Sequence, residues 1–211
     1  MSTVAVVDYG MGNLRSVAKA IEHVAPAATV RVTADAGEIA AADRVVVPGQ
    51  GAMPDCMREL VARGLREAVC RAAAQKPFLG ICVGLQMLFG EAEEGGSQGL
   101  EILPGRVPRF AREAMQTPTG RLKVPHMGWN RVQQQIDHPL WRDIDDGARF
   151  YFVHSYHVAP QARQLIAATT DYGLPFTSAV ARDNIFAVQF HPEKSARAGL
   201  QLLNNFMHWS P

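Results

Sequence analysis

The apolar positions of the first half of the chain alternate between two rhythms. Val4–Val7 is an unbroken apolar run closed by Asp8-Tyr9-Gly10, the signature of a buried strand followed by a turn. Leu14, Val17, Ile21 and Val24 then recur at spacings of three and four, which predicts an amphipathic helix with Asn13 at its cap. Thr29–Thr33 reads as a second strand and Arg44–Val47 as a third, ending at Pro48-Gly49. A helical pattern runs through Leu60–Ala74. Phe78–Ile81 is a fourth strand, and Gly84–Phe89 opens another helix. Strands and helices in alternation imply a mostly parallel sheet flanked by helices.

The second half has a different texture. Gly95–Thr119 is rich in Gly and Pro, with short apolar pieces. Arg149–Val158, Leu165–Thr170, Phe176–Arg182 and Ile185–Phe190 are strand-like by their β-branched and aromatic content, and Ala198–His208 closes the chain as an amphipathic helix. No linker, repeat or low-complexity tract interrupts the pattern. The expectation is one mixed-sheet α/β domain over residues 1–211.

Composition narrows the class. The 211 residues are 47% hydrophobic and 19% charged with a net charge of +1, which suits a globular protein and gives no electrostatic footprint for nucleic acid or a membrane surface. No apolar stretch approaches membrane-spanning length. The N-terminal MSTVAVVDYG lacks a basic segment before its apolar run and reads as a strand, not a secretory signal. Cys56, Cys70 and Cys82 are odd in number and form no CxxC pair, which argues for a reducing, cytoplasmic setting without disulfides or structural zinc. No cofactor or metal is expected. The DYGMGN segment begins like a dinucleotide fingerprint, but Arg15 stands where the third glycine belongs.

Candidate chemistry centres on LGICVGLQ, Leu79–Gln86. A strand running through G-x-C-x-G into a helix is the thiol form of a nucleophile elbow. Gly80 and Gly84 leave room for a strained turn, and N–H groups of the following helix favour a thiolate at Cys82. A buried core cysteine has the same local pattern, so both readings stand on this segment alone. VQFHPEKS supplies a base: His191 at a strand end is kept extended by Pro192, so Glu193 falls on the same side and can orient the ring. A plain strand-end turn is the alternative. VPGQG at Val47–Gly51 offers either a second oxyanion donor at Gln50, beside the Val83 N–H, or a simple turn. His154 and His157 face opposite ways in an extended strand, which disfavours a shared metal.

Together LGICVGLQML, VQFHPEKS and VPGQG resemble the class I, triad-type glutamine amidotransferases. DYGMGNL, LPGRVPRF, KVPHMGWN and YFVHSYH narrow the resemblance to the glutaminase-subunit family of imidazole glycerol phosphate synthases, over nearly the whole chain. The resemblance implies a flavodoxin-like sheet and hydrolysis of glutamine through a cysteinyl thioester. Cys82 is then the nucleophile, His191 the base and acid, and Glu193 the orienting carboxylate. Gln50 and Val83 N–H groups form the oxyanion hole. Gly51, Gln86, Glu94 and the backbone at Ser155 and Tyr156 contact glutamine, with Glu94 on its α-ammonium. The implied partner is a (β/α)8-barrel cyclase subunit in a heterodimer, faced by Asn13, Met127, Trp129, Asn130, Tyr151 and Lys194 and fed with ammonia for histidine biosynthesis; in that complex the activity is that of a lyase. The alternatives are a glutaminase subunit for anthranilate or aminodeoxychorismate synthesis, or a stand-alone γ-glutamyl hydrolase. One departure is Gln50, where the family pattern leads us to expect a small apolar residue after Pro-Gly.

Overall fold

The structure is a computed structural model and describes residues 2–117 and 120–211. Met1 and the last residues of the Gly95–Thr119 stretch, 118 and 119, lie outside the described residues.

Strands β1 (Thr3–Val7), β2 (Thr29–Thr33), β3 (Arg44–Gly49) and β4 (Phe78–Cys82) occupy the predicted runs. Every residue of β4 is buried, as a central parallel strand requires. Helix α1 (Leu14–Val24) buries Val17, Ala18 and Ile21. Asn13 stands at its cap but its side chain makes no capping hydrogen bond. Helix α2 (Ala36–Ala41) has no counterpart among the predicted elements. Asp35 caps it by accepting from the Glu38 N–H at 2.8 Å, and D-x-x-E before a short apolar turn was the available signal.

The helical pattern Leu60–Ala74 is two helices, α3 (Met53–Ala62) and α4 (Arg66–Gln75). Gly64 between them has φ +69°, a left-handed turn that ends α3. The helix expected over Gly84–Phe89 is one turn, α5 (Val83–Gln86); beyond it Leu88 and Phe89 donate to the carbonyls of Leu85 and Gln86, three residues back. So short a helix has little macrodipole, and what it offers Cys82 is local N–H groups.

The later strands are β5 (His126–Arg131), β6 (Gln133–Gln134), β7 (Arg149–His154), β8 (Ile166–Asp171), β9 (Pro175–Arg182) and β10 (Ile185–Val188), followed by α6 (Ala196–His208). β7 stops at His154, short of the expected Val158, and β10 stops at Val188, short of Phe190. The main sheet has the order β6-β8-β9-β10-β4-β3-β1-β2. From β2 to β10 the pairings are parallel; β10, β9, β8 and β6 pair antiparallel. The parallel part has the doubly wound order in which the first strand lies inside the second. Helix α1 lies against α6, and α2 against α4. β5 and β7 form a separate antiparallel ladder running from His126↔His154 to Arg131↔Arg149. Glu91–Ala92, Ser97–Gln98, Gly105–Val107 and Ala159–Pro160 make a small sheet that ties part of the Gly- and Pro-rich region to its neighbours. No described helix is long and apolar enough to cross a membrane.

The left-handed break between α3 and α4 has a direct test. Nothing lies within 4 Å of a Cβ built on Gly64, so only the backbone opposes a side chain there. Gly64→Ala should cost about 1 kcal/mol and Gly64→Asn less, read from urea denaturation midpoints. Equal stability of all three proteins would mean that the turn does not depend on glycine.

Candidate active site

Parallel register sets the site. Gly49 on β3 pairs with Cys82 on β4, and Val188 on β10 pairs with Ile81. The segments leaving β3, β4 and β10 therefore emerge side by side at the carboxyl edge of the sheet, where open α/β sheets place their ligands.

Cys82 sits between strand and helix with φ 56° and ψ −110°, a backbone conformation that an L residue adopts only under constraint. Its neighbours explain the constraint. A Cβ on Gly84 would lie 1.9 Å from the Val47 carbonyl oxygen, and one on Gly80 would lie 2.9 Å from the Gly84 carbonyl oxygen. A Cβ on Gly49 would meet the Tyr9 hydroxyl at 2.7 Å and the Gly84 nitrogen at 2.8 Å. The loop after β3 is tied as well. Tyr9 donates to the Pro48 carbonyl at 2.7 Å, and the Cys56 thiol donates to the Gln50 carbonyl at 3.6 Å. Burial raises the Cys56 thiol to about 11, so it remains a neutral donor.

His191 is extended (φ −104°, ψ 97°), and its N–H donates to the Tyr151 carbonyl at 2.9 Å. Glu193 is not on a continuing extended segment. Pro192–Lys194 forms a single 3-10 turn, and this turn brings the carboxylate to the ring, with His191 Nδ1 3.0 Å from Glu193 Oε1. Both side chains are nearly inaccessible. A carboxylate only accepts, so Nδ1 carries the proton of that bond and Nε2 is left for the reaction. Nε2 is buried and makes no hydrogen bond within the protein. Burial by itself disfavours the imidazolium; neighbouring Cys82 and the hydrogen-bonded Glu193 carboxylate outweigh it and raise His191 to about 10. Ser195 fixes the turn by donating to the His191 carbonyl at 2.6 Å while accepting from the Tyr151 N–H at 2.9 Å.

A cavity of about 320 Å³ opens over the sulfur, at the small end of ligand-pocket sizes, about 300–1,000 Å³. Gln50, Gly51, Cys82, Val83, Gln86, Glu94, Ser155, Tyr156 and His191 all line it, with Glu193 behind His191. Glu94 spends one oxygen on the Met53 N–H at 2.8 Å, at the start of α3. The Tyr156 carbonyl accepts from Gln86 Nε2 at 3.1 Å and from His154 Nδ1 at 2.8 Å, so it is already occupied on the protein side. Of the residues expected at a partner surface, Met127 and Trp129 are 63% and 48% exposed. The Trp129 ring meets Tyr151 edge-on at 6.2 Å, and Lys194 Nζ lies 6.0 Å from the Tyr151 ring centroid. Asn130 instead turns to the Asp171 carbonyl and to His126, at 2.8 and 3.3 Å.

Two features went unread in the sequence. Gln189 is fully buried and donates from Nε2 to Cys82 Sγ at 3.7 Å; its place two residues before His191 in an extended stretch was the available signal. His126 and His154 face each other across the β5–β7 ladder, Nδ1 to Nε2 at 3.0 Å. The Tyr156 carbonyl fixes the His154 tautomer, so His154 Nε2 accepts from His126, which in turn accepts from Asn130. Burial lowers His126 to about 4 and His154 to about 3. Among the described residues no group of three or more His, Cys, Asp or Glu side chains could hold a metal ion.

The family model described as glutamine amidotransferase class-I matches residues 5–209. The imidazole glycerol phosphate synthase subunit HisH of Aromatoleum aromaticum is 68% identical over the full length of both chains. The protein of the same name from Dechloromonas aromatica is 66% identical over 99% of this chain and 97% of its own. A crystal structure of a glutamine amidotransferase superposes with a TM-score of 0.70 at 16% identity, covering 97% of each chain. The structure of PurLQS from Thermotoga maritima superposes with a TM-score of 0.67 at 16% identity, over 98% of each chain, which shows the shared fold.

Two outcomes test the site's construction. Gly84→Ala should lose about 3 kcal/mol or more in urea denaturation, or fail to fold, because the added methyl meets backbone that cannot move aside; wild-type stability would contradict the close approach. His126 and His154 bind protons less readily folded than unfolded, so the unfolded chain gains protons as pH falls below about 6.5 and stability drops with it. Each imidazole should account for about 2 kcal/mol of loss between pH 7 and pH 5. His154→Gln should therefore lose less over that interval than the wild type; equal losses would place the acid sensitivity elsewhere.

Proposed function

The chain belongs to the class I glutamine amidotransferases, and from its 68% and 66% identity to the HisH relatives we propose that it is the glutaminase subunit of an imidazole glycerol phosphate synthase. It hydrolyses glutamine to glutamate and ammonia. The observation that carries the assignment of residues is the strained Cys82 facing the buried His191–Glu193 pair across one small cavity.

The reaction runs as two proton transfers around one covalent intermediate. The Cys82 thiolate attacks the side-chain amide carbon of glutamine, and the carbonyl electrons move to oxygen. The Val83 and Gln50 N–H groups bear that oxyanion. A main-chain donor does not depend on its side chain, so Gln50 can serve despite departing from the expected small residue. His191 gives its Nε2 proton to the leaving nitrogen, and the C–N bond breaks to release ammonia and leave a thioester at Cys82. A water then adds to the thioester, giving a proton to His191 Nε2. The carbonyl re-forms as the C–S bond breaks, the new carboxylic acid releases its remaining proton to solvent and departs as glutamate, and the thiolate and imidazolium are restored. Glu193 holds the ring with Nε2 toward the sulfur throughout. Glu94 takes the α-ammonium, while Gly51, Gln86 and the backbone at Ser155 and Tyr156 shape the rest of the cavity.

Ammonia free in water is protonated and lost, so a synthase subunit must deliver it to a second active site. We assign that site to a (β/α)8-barrel cyclase in a heterodimer. Exposed Met127 and Trp129, two apart on one face of β5, together with Tyr151 and Lys194, form the surface that supports this reading. Val153, which pairs with Met127, and His154 both line the cavity, so the partner surface and the substrate site adjoin on one ladder. The family resemblance assigns Asn13, at the start of α1, and Asn130 to the same partner.

The test uses the complex with the cyclase and its nucleotide. Cys82→Ala should reduce glutamate release by about 10⁴-fold or more, as loss of a nucleophile that works with its base does. Added ammonium should restore cyclisation by the same complex. Glutamate release at the wild-type rate would remove Cys82 from the mechanism, and failure of ammonium to rescue would count against a pure ammonia-supplying role.

A further inference from the structure

Beyond the triad, the polar contacts around the sulfur run in one direction, and a backbone carbonyl decides which. The Tyr156 carbonyl is an acceptor only, so the Gln86 side chain must present its nitrogen there, at 3.1 Å. The same nitrogen lies 3.0 Å from one polar atom of the Gln189 side-chain amide. Two donors cannot face each other, so that atom is the Gln189 oxygen. The remaining atom, Nε2, faces Cys82 Sγ at 3.7 Å, an ordinary distance for a hydrogen bond to sulfur. Reversing either amide would set oxygen against oxygen at Tyr156 or nitrogen against nitrogen between the two glutamines. Gln189 is 0% exposed, so no water competes for these positions. Its backbone is also anchored, donating to the Ser178 carbonyl at 2.9 Å. The register that pairs Val188 with Ile81 brings Gln189 level with Cys82.

We propose that Gln189 is a positioning residue for the Cys82 thiolate, with its amide held through Gln86 by the Tyr156 carbonyl so that N–H always faces the sulfur. A hydrogen bond to a charged acceptor is worth more than one to a neutral one, so this contact favours thiolate over thiol. It also fixes the sulfur laterally, on the β10 side, while His191 works above it. The proposal rests on the reading of Cys82 as nucleophile.

Alkylation of Cys82 by iodoacetamide in the absence of glutamine, followed against pH by mass spectrometry of the Cys82 peptide, separates this role from a structural one. Gln189→Met keeps the volume and removes the donor; the pH midpoint of alkylation should rise by about one unit. Gln86→Met frees the Gln189 amide to rotate and should raise the midpoint by less. The double variant should go no further than Gln189→Met, because Gln86 acts on the sulfur only through Gln189. An unmoved midpoint in Gln189→Met, or shifts that simply add, would overturn the proposal. Should Gln189→Met not fold, Gln86→Met decides alone, and an unmoved midpoint there overturns it. Cys82→Ala, assayed for glutamate release in the complex with the cyclase, tells the two failures apart. An active Cys82→Ala removes the nucleophile reading itself, whereas an inactive Cys82→Ala beside unmoved midpoints removes only the role of Gln189.

Discussion

The site depends on one close approach. Where β3 and β4 end, the backbone at Gly84 comes so near the Val47 carbonyl that even a methyl group has no room. Gly49 and Gly80 allow the same crowding on neighbouring sides. With three segments pressed together, the chain leaving β4 has no path except a sharp reversal, and Cys82 takes positive φ at its apex. The strain that results is a consequence of packing and is maintained by it. The reversal lifts the sulfur out of the sheet and into the cavity, with the Val83 N–H following directly. A short α5 is enough for this, because what matters is the first N–H beyond the elbow and not the length of the helix.

Around that apex the protein supplies buried, directional polar groups where water would otherwise be. His191 is held from behind by Glu193, and the turn that carries both is fixed by Ser195. Gln189 reaches the sulfur from β10, and its direction is inherited from the Tyr156 carbonyl two hydrogen bonds away. That carbonyl also sets the tautomer of His154 and, through it, of His126. One backbone oxygen just beyond the end of β7 therefore orders two polar chains, one running to the nucleophile and the other to Asn130 on the exposed ladder. Burial makes these chains stiff: an unpaired amide or imidazole in their place would be costly, so each member has essentially one orientation.

Much of the architecture was legible because it is written in local patterns. Buried parallel strands read as apolar runs, and α1 and α6 read as period-3.6 stripes, so the parallel strands and these two helices fell within a residue or two of expectation. The errors have specific causes. One glycine split a continuous helical pattern into α3 and α4, since apolar periodicity is blind to a single left-handed residue. α2 leaves no periodic signal, because its six residues are too few, and only its cap marks it. Glu193 was placed beside His191 for a reason that proved different in detail: the approach comes from a 3-10 turn and not from extended alternation.

The strand that carries the thiol, the glycines that permit its turn, and the His-Pro-Glu segment that supplies the base are local properties of the chain, because each is a short-range matter of sterics or dihedral preference. Tertiary structure alone decided which polar groups meet. Gln189 and Cys82 are 107 residues apart, and His126 and His154 are 28 apart. Their contacts depend on strand order and on a register in which a slip of one residue would turn each side chain to the opposite face. Hydrogen-bond direction is likewise set by the whole connected chain of donors and acceptors, and no local segment contains that information.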